Sequence, residues 1–439
     1  MNKILLMLLA FCVLTPYFSL SAAGGWEQKE FIITMWCPPA ATDENLARLV
    51  SEGFTLTNVS WNGKDVRSTK EETLKMLGNA DKYKIKTLVG NGYIPLLRPE
   101  ALNDPVKKAE LDEFIDTVKK HPSFEGYYLK DEPGADSFAD WSRMIRYLKE
   151  RDPDHLVYIN LLPTYASQKQ LGVFLQETPK GTVSIPDNYE GVAACKDIIL
   201  LYDEYLKQYI NLTKPELISY DHYFMRKDKE RKQYFLNLEL IRRASGQAGV
   251  PFLNIIQACS IEKAWRMPGK DELRWLAYTT MVYGGRGISW FLYDGPASFG
   301  GLYQDGKRMP AADWVTEINQ EIKSLGPELM KLNSTQVYHS DPLPNGTQNM
   351  TASPVKATGG EYIVGMFKGS DGADAFMIMN RDWKTKSIAR VSISLGDGEL
   401  FEFSIPRGQW EKIKTVTPGS TIDVELLPGS GKLFKIRKS

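Results

Sequence analysis

The chain has 439 residues, with 54 Lys and Arg against 54 Asp and Glu, a charged fraction of 25% and a hydrophobic fraction of 43%. That is an ordinary globular balance with room for one large domain and a smaller one, and it excludes a disordered chain. With no net charge, the protein has no overall field that would draw nucleic acid or an anionic membrane to it.

The first residues stand apart. A short basic start, Met1-Asn2-Lys3, leads into the apolar run Ile4 to Leu14 and a small-residue exit at Ser21-Ala22-Ala23. This pattern predicts a cleavable signal peptide over residues 1–23, and hence a secreted or periplasmic protein. No later stretch is apolar for long enough to span a bilayer.

From about residue 30, strand-like and helix-like segments alternate. Phe31 to Trp36 reads as the first strand, followed by a helix capped near Thr42-Asp43. Strands follow at Thr55 to Trp61, Lys86 to Gly90, Phe124 to Lys130 and Leu156 to Asn160, with helices between them. The second half repeats the pattern. Its strands are Leu217 to Tyr220, Pro251 to Ile256 and Gly287 to Leu292, and its helices run over 228–245, 271–283 and 311–325. Strands each followed by a helix through short connections make a parallel sheet, and eight such units in about 300 residues predict a closed (β/α)8 TIM barrel. No Gly-x-Gly-x-x-Gly follows the first strand, which argues against a dinucleotide fold. After Leu332 the texture changes to short alternating runs, such as Tyr362 to Phe367, Ala375 to Met379 and Ile388 to Ile393, separated by Gly/Asp/Asn turns. The expected organisation is therefore α/β: a barrel over 24–332, then a small antiparallel β-sandwich over 333–439, appended at the loop around Pro342 to Thr351.

Cysteine and histidine usage narrows the chemistry. Beyond the leader remain Cys37, Cys195 and Cys259, too few and too far apart for a disulfide framework. The four histidines, His121, His155, His222 and His339, are scattered without zinc spacing, so neither a metal nor another cofactor is expected.

The C-terminal ends of barrel strands are where a TIM-barrel enzyme keeps its chemistry. In chain order they carry Trp36, Trp61, Asn91, Tyr93, Asp131 with Glu132, Asn160, Asp221 with His222 and Tyr223, Gln257, and Trp290 with Tyr293 and Asp294. Aromatic rings beside amides and carboxylates suit a carbohydrate, whose C–H faces stack and whose hydroxyls hydrogen-bond. The fourth strand, Gly126-Tyr-Tyr-Leu-Lys-Asp-Glu-Pro133, ends abruptly in two acids. Glu132 is the candidate general acid for glycosidic cleavage, with Tyr127, Tyr128 and the Asp131 charge expected to raise its pKa.

These features resemble the clan of TIM-barrel glycoside hydrolases that contains the family 42-type galactosidases. The segments that carry the resemblance are the Asp-Glu-Pro after strand four, Asp271 to Tyr278, Tyr283 to Tyr293, and Asn319 to Pro327 leading to Val337-Tyr-His339. They are similar to secreted Bacteroidetes members of that group, over about residues 30–340. The resemblance implies a glycosidase with a retaining carboxylate pair. The chain departs from the pattern twice, with Asp131 in place of the clan's Asn and Gln257 where its nucleophilic Glu should stand. An amide is neither nucleophile nor base. Asp221 could supply the second carboxylate, at ~6.5–9.5 Å from Glu132 for inversion or ~5 Å for retention. Asp131 could instead hold a substrate acetamido group, as adjacent Asp-Glu pairs do in N-acetylhexosaminidases. Glu262 could reach back from its loop. The alternative to an enzyme is a non-catalytic carbohydrate-binding protein on the same scaffold.

Overall fold

The computed structural model describes residues 25–58, 70–90, 95–173, 196–262 and 264–438, and the expected signal peptide lies outside them. The eight barrel strands are β1 (Ile32–Met35), β2 (Leu56–Asn58), β3 (Lys86–Gly90), β4 (Phe124–Asp131), β5 (Leu156–Leu161), β6 (Ile218–Asp221), β7 (Phe252–Gln257) and β8 (Gly287–Phe291). They form one parallel sheet in the order β1-β8-β7-β6-β5-β4-β3-β2. The two ends of that sheet meet: the Thr55 amide donates to the Ile33 carbonyl at 2.9 Å, and the Asn58 side chain donates to the Met35 carbonyl at 2.8 Å.

The helices that wrap the sheet are α1 (Asp43–Ser51), α2 (Lys70–Tyr83), α3 (Pro105–Val118), α4 (Phe138–Arg151), α5 (Lys196–Thr213), α6 (Tyr234–Ala248), α7 (Lys270–Val282) and α8 (Pro310–Leu329). The cap expected for α1 is present, with Thr42 Oγ1 accepting from the Asn45 amide at 3.2 Å and Asp43 and Glu44 in the first turn. Helix α6 starts six residues later than its sequence suggests. The chain before it folds back instead, with the Arg231 amide donating to the Phe224 carbonyl at 3.2 Å.

Side-chain parity along each strand decides what faces the lumen. Ile32, Leu56, Leu88, Tyr128, Leu156, Tyr158, Leu253 and Ile255 fill the barrel interior, while Ile33, Met35, Val89, Tyr127, Val157, Ile159, Ile256, Ile288 and Trp290 point out toward the helices. Strand β4 breaks that parity near its end. Tyr128 pairs with Tyr158, but Asp131 pairs with Asn160, so three steps on β4 match two on β5. Such a bulge re-aims side chains, here at the mouth of the barrel.

Close strand contact requires glycine at Gly126, where φ is +154° and an added Cβ would lie 2.1 Å from the Leu156 carbonyl oxygen. Gly126→Ala is expected to lose about 3 kcal/mol or more of stability, since neither backbone can yield inside the sheet. A urea midpoint unchanged from wild type would contradict this close approach.

The C-terminal part folds as two facing sheets of seven and three strands, antiparallel except for one short parallel pair between Leu332–His339 and Gln348–Asn349. Its first strand, Leu332–His339, pairs with Tyr362–Gly369. The join to the barrel therefore follows α8 directly, and the loop 342–351 lies within the sandwich rather than at its entrance. The two parts share one apolar core, in which Trp275, Tyr278 and Tyr283 meet Ile363, Phe367, Met377 and Leu433. Trp275 Nε1 donates to the Arg381 carbonyl at 2.9 Å, and the Tyr283 hydroxyl pairs with His339 Nε2 at 2.8 Å. Trp383 of the sandwich stands edge-on to Phe224, in the segment after β6, at 6.0 Å.

Candidate active site

Three carboxylates converge at the C-terminal ends of β4 and β6, joined through Asn160 of β5. The Asn160 amide nitrogen donates to Asp131 Oδ1 at 3.1 Å and to Asp221 Oδ1 at 3.4 Å. The Ser219 hydroxyl donates to Asn160 Oδ1 at 2.9 Å, which fixes the amide so that its N–H groups face the acids. Past the bulge the ladder resumes for one bond, from the Glu132 amide to the Asn160 carbonyl at 2.9 Å. Glu132 itself adopts φ +43°, a left-handed conformation that is uncommon for a non-glycine residue and that turns its side chain into the mouth.

Exposure separates the three. Asp131 and Glu132 are open at the mouth, whereas Asp221 is 3% exposed. Glu132 and Asp221 influence each other electrostatically. Desolvation by the surrounding protein, followed by the Asp131 charge, pushes the Glu132 carboxyl up to about 7, and the interaction with Asp221 opposes the rise. Burial, then repulsion from Glu132 and Asp131, holds Asp221 well above the usual carboxylate range. Asp131 is raised by desolvation, and the Asn160 hydrogen bond opposes the shift.

Aromatic rings line the approach. Trp36 stands edge-on to Tyr128 at 5.5 Å and lies 6.2 Å from Phe291; Tyr128 packs on Tyr158 at 5.1 Å. Tyr223 lies 4.3 Å from Trp265 and 4.9 Å from Phe291, which closes an aromatic arc along one side of the lumen. Trp36, Trp265 and Phe291 are half-buried and present ring surface to the mouth.

Of the residues expected from sequence, the structure brings together Asp131, Glu132, Asn160, Asp221, Trp36 and Tyr223. Others stand elsewhere. Trp290 faces outward and donates to Asn319 Oδ1 at 2.9 Å, because β8 parity sends Phe291, not Trp290, into the lumen. Tyr293 is buried against α1, donating to Glu52 Oε2 at 2.7 Å. Asp294 accepts from the Gly306 amide at 3.2 Å in a surface turn. His222 is buried with Nδ1 on Asn237 Oδ1 at 2.9 Å, facing α6. Tyr127 also faces outward, donating to Asp152 at 2.8 Å, so it does not act on Glu132. Glu262 is exposed on a hairpin, its amide bonded to the Ser298 carbonyl at 3.3 Å, and no contact ties it to the acids. Trp61, Asn91 and Tyr93 fall outside the described residues.

Gln257 reaches the lumen side but is fully engaged. Its Oε1 accepts from the Met225 amide at 2.8 Å, and its Nε2 donates to the Met225 and Arg266 carbonyls at 2.8 Å and to that of Cys259 at 3.2 Å. The amide pins the β6 and β7 loops to each other, which is why a Glu would not serve here. Among the described residues no group of three or more His, Cys, Asp or Glu is placed to hold a metal ion, and no helix is long and apolar enough to cross a membrane.

No protein-family model matches this chain, and no curated protein does. Solved structures do. One is a family 5 glycoside hydrolase from Bacteroides vulgatus, 11% identical with a TM-score of 0.57, covering 95% of this chain and 92% of that one. Another, described as a glycoside hydrolase, is 13% identical with the same TM-score of 0.57, covering 95% of this chain and 96% of that one. The chain is a TIM barrel with an appended β-sandwich. The expected resemblance to TIM-barrel glycoside hydrolases holds at the level of the fold, across nearly the whole length, at identities that leave the chemistry to be argued from the residues.

Proposed function

We propose that the protein is a glycoside hydrolase that cleaves an O-glycosidic bond with Glu132 as the proton donor. The observation that carries this reading is the pair Asp131 and Glu132 in an aromatic-lined barrel mouth, with the Glu132 carboxyl held protonated into the neutral range. A sugar stacked on Trp36, Phe291 or Trp265 would present its glycosidic oxygen to that proton. The leader pattern over residues 1–23 supports export, so a glycan outside the cytoplasm is the expected substrate.

The two acids that reach the mouth are neighbours in sequence, and Asp221 is buried beside them. That arrangement favours substrate assistance over an enzyme nucleophile. In this scheme Glu132 protonates the leaving oxygen as the 2-acetamido carbonyl oxygen attacks the anomeric carbon. The bond to the leaving group breaks, and a bicyclic oxazoline forms as Asp131 takes the acetamido N–H. Glu132, now a carboxylate, removes a proton from water as its oxygen attacks the anomeric carbon, the ring C–O bond breaks, and Asp131 returns its proton to the nitrogen, which restores the acetamido group with net retention.

A panel of aryl glycosides tests both levels, pairing each 2-acetamido sugar with its 2-hydroxy counterpart. Cleavage confined to a 2-acetamido member, and inhibition by a thiazoline mimic of the bicyclic intermediate, is the expected result. Equal cleavage of a 2-hydroxy sugar would remove the assisted route and keep the hydrolase. Sugar binding with no turnover on any glycoside would favour a carbohydrate-binding protein instead.

A further inference from the structure

The chain carries no net charge, but its barrel mouth is not electrically even. The segment after β1, residues 37–42, holds no charged residue, and that after β8, residues 292–309, sets Asp294 and Asp305 against Lys307 and Arg308. The segment after β6 differs: Arg226-Lys-Asp-Lys-Glu-Arg-Lys232 has five basic residues and two acids. It is pinned at the rim. Met225 bridges Glu230 to make a narrow hairpin, Arg226 bridges Trp265 of the β7 loop, and the Lys227 amide donates to the Ala264 carbonyl at 3.2 Å. Each acid faces an arginine, Asp228 that of Arg226 at 3.5 Å and Glu230 that of Arg266 at 3.3 Å. Lys227 and Lys229 stand exposed at the hairpin tip. Arg231 lays its guanidinium carbon 3.5 Å from the centroid of the Tyr165 ring, which itself meets His222 edge-on at 4.9 Å. Glu262, exposed on the adjoining hairpin, subtracts one charge from this sector.

We propose that this hairpin is a subsite for an anionic glycan, holding a carboxylate or sulfate on the sugar next to the one cleaved at Glu132. The inference deepens the hydrolase reading and rests on it. Strand β4, which carries the acid pair, and β6 are two strand spacings apart, about 10 Å, which a substituent on a neighbouring sugar can reach. Trp265, bridged to Arg226, shows ring surface at the same rim, so a sugar stacked there would lie with its charged substituent against the hairpin. Asp131 and Glu132 repel an anion. The unit at the acid pair is therefore an uncharged sugar, as the 2-acetamido scheme requires, and the charged unit belongs on the β6 side. At low ionic strength the same basic sector draws a polyanionic chain toward the mouth.

Isothermal titration of the full chain carrying Glu132→Gln, so that turnover does not consume the ligand, tests this with three tetrasaccharide probes. They are a neutral chito-oligosaccharide, hyaluronan with carboxylates alone, and chondroitin sulfate with carboxylates and sulfates. At low salt at least one acidic probe is expected to bind about 10-fold tighter than the neutral one, an advantage that disappears toward about 0.5 M salt as the charges are screened. Adding Lys227→Gln and Lys229→Gln should remove about 5-fold or more of that advantage, the scale of two exposed charge contacts. Adding Lys412→Gln and Lys414→Gln instead, on the sandwich strand Gln409–Val416, should remove none. Hyaluronan bound as tightly as chondroitin sulfate assigns the carboxylate as the recognised group, and tighter binding of the sulfated probe assigns the sulfate. No preference for either acidic probe, a preference that survives high salt, or an equal loss from the sandwich lysines overturns the proposal. Cleavage of a probe by the Glu132→Gln chain would instead sink the assignment of the acid, which separates the two failures.

Discussion

Replacing Glu132 with Gln is expected to lower turnover of the best aryl glycoside at least about 100-fold, the usual scale for a missing general acid. The amide keeps the shape of the side chain and its place at the +43° backbone, so loss of the proton is what the comparison reads. The defect should deepen as the leaving group becomes more basic, since a good leaving group needs less protonation. In wild type, kcat/KM should fall as pH rises through about 7, where the Glu132 carboxyl loses its proton, and the Gln variant should lose that limb.

The same raised pKa has a cost in stability, with a definite sign. The folded protein retains a proton that the unfolded chain, with an ordinary value of 4.5, releases sooner. Between those two values, rising pH progressively favours the unfolded state. Glu132→Gln should therefore be more stable than wild type above pH 7 and indistinguishable from it well below 4.5. Urea midpoints at both extremes check this. A Gln variant with full activity, or one less stable at high pH, would count against Glu132 as a desolvated, loaded acid.

The second large effect is at Gln257. Gln257→Glu would restore the residue type that the resembling hydrolases use as nucleophile, and it is nearly isosteric. It should nevertheless destabilise by about 3 kcal/mol or more and yield no retaining nucleophile. The amide nitrogen donates to three backbone carbonyls, those of Met225, Cys259 and Arg266. A carboxylate oxygen in its place would face three acceptors, and even the protonated form has one hydrogen for all of them. Chemical denaturation and an assay on 2-hydroxy aryl glycosides provide the check. A Glu variant as stable as wild type, or newly active on those sugars, would show that the side chain is not pinned as described.

Much of this architecture was legible in the chain because strand and helix segments differ in period and turn chemistry. All eight barrel strands lie where the sequence placed them, and the acid pair falls at the end of the fourth. Side-chain parity was harder to read. Strands of a parallel barrel are buried on both faces, so β8 reads Ile288-Ser-Trp-Phe291 with no alternation to say which aromatic points inward. Trp290 drew attention by size, whereas counting by twos from Ser289, opposite the lumen-facing Thr34, would have selected Phe291. Trp265 was missed for another reason: it reaches the mouth from a loop, where no period applies. Gln257 looked like a lost nucleophile because its partners are backbone groups, which carry no sequence signature. The meeting of Asp131 and Asp221 on Asn160 depends on the curvature across β4, β5 and β6 and on the β4 bulge, neither of which is written in the local sequence.

The apolar core common to α7 and the sandwich has a consequence for how such proteins change over generations. A module that can be exchanged between parents must meet its host through a surface that tolerates strangers. Here Gly365 lies so close to helix α7 that an added Cβ would be 2.0 Å from the Val282 carbonyl oxygen, and Trp383 braces the segment that follows Asp221. A recombination event that replaced the sandwich would have to bring a matching α7 with it. The barrel and its companion are thus bound to change together, and drift in the segment after Asp221 is constrained by Trp383 on the neighbouring domain.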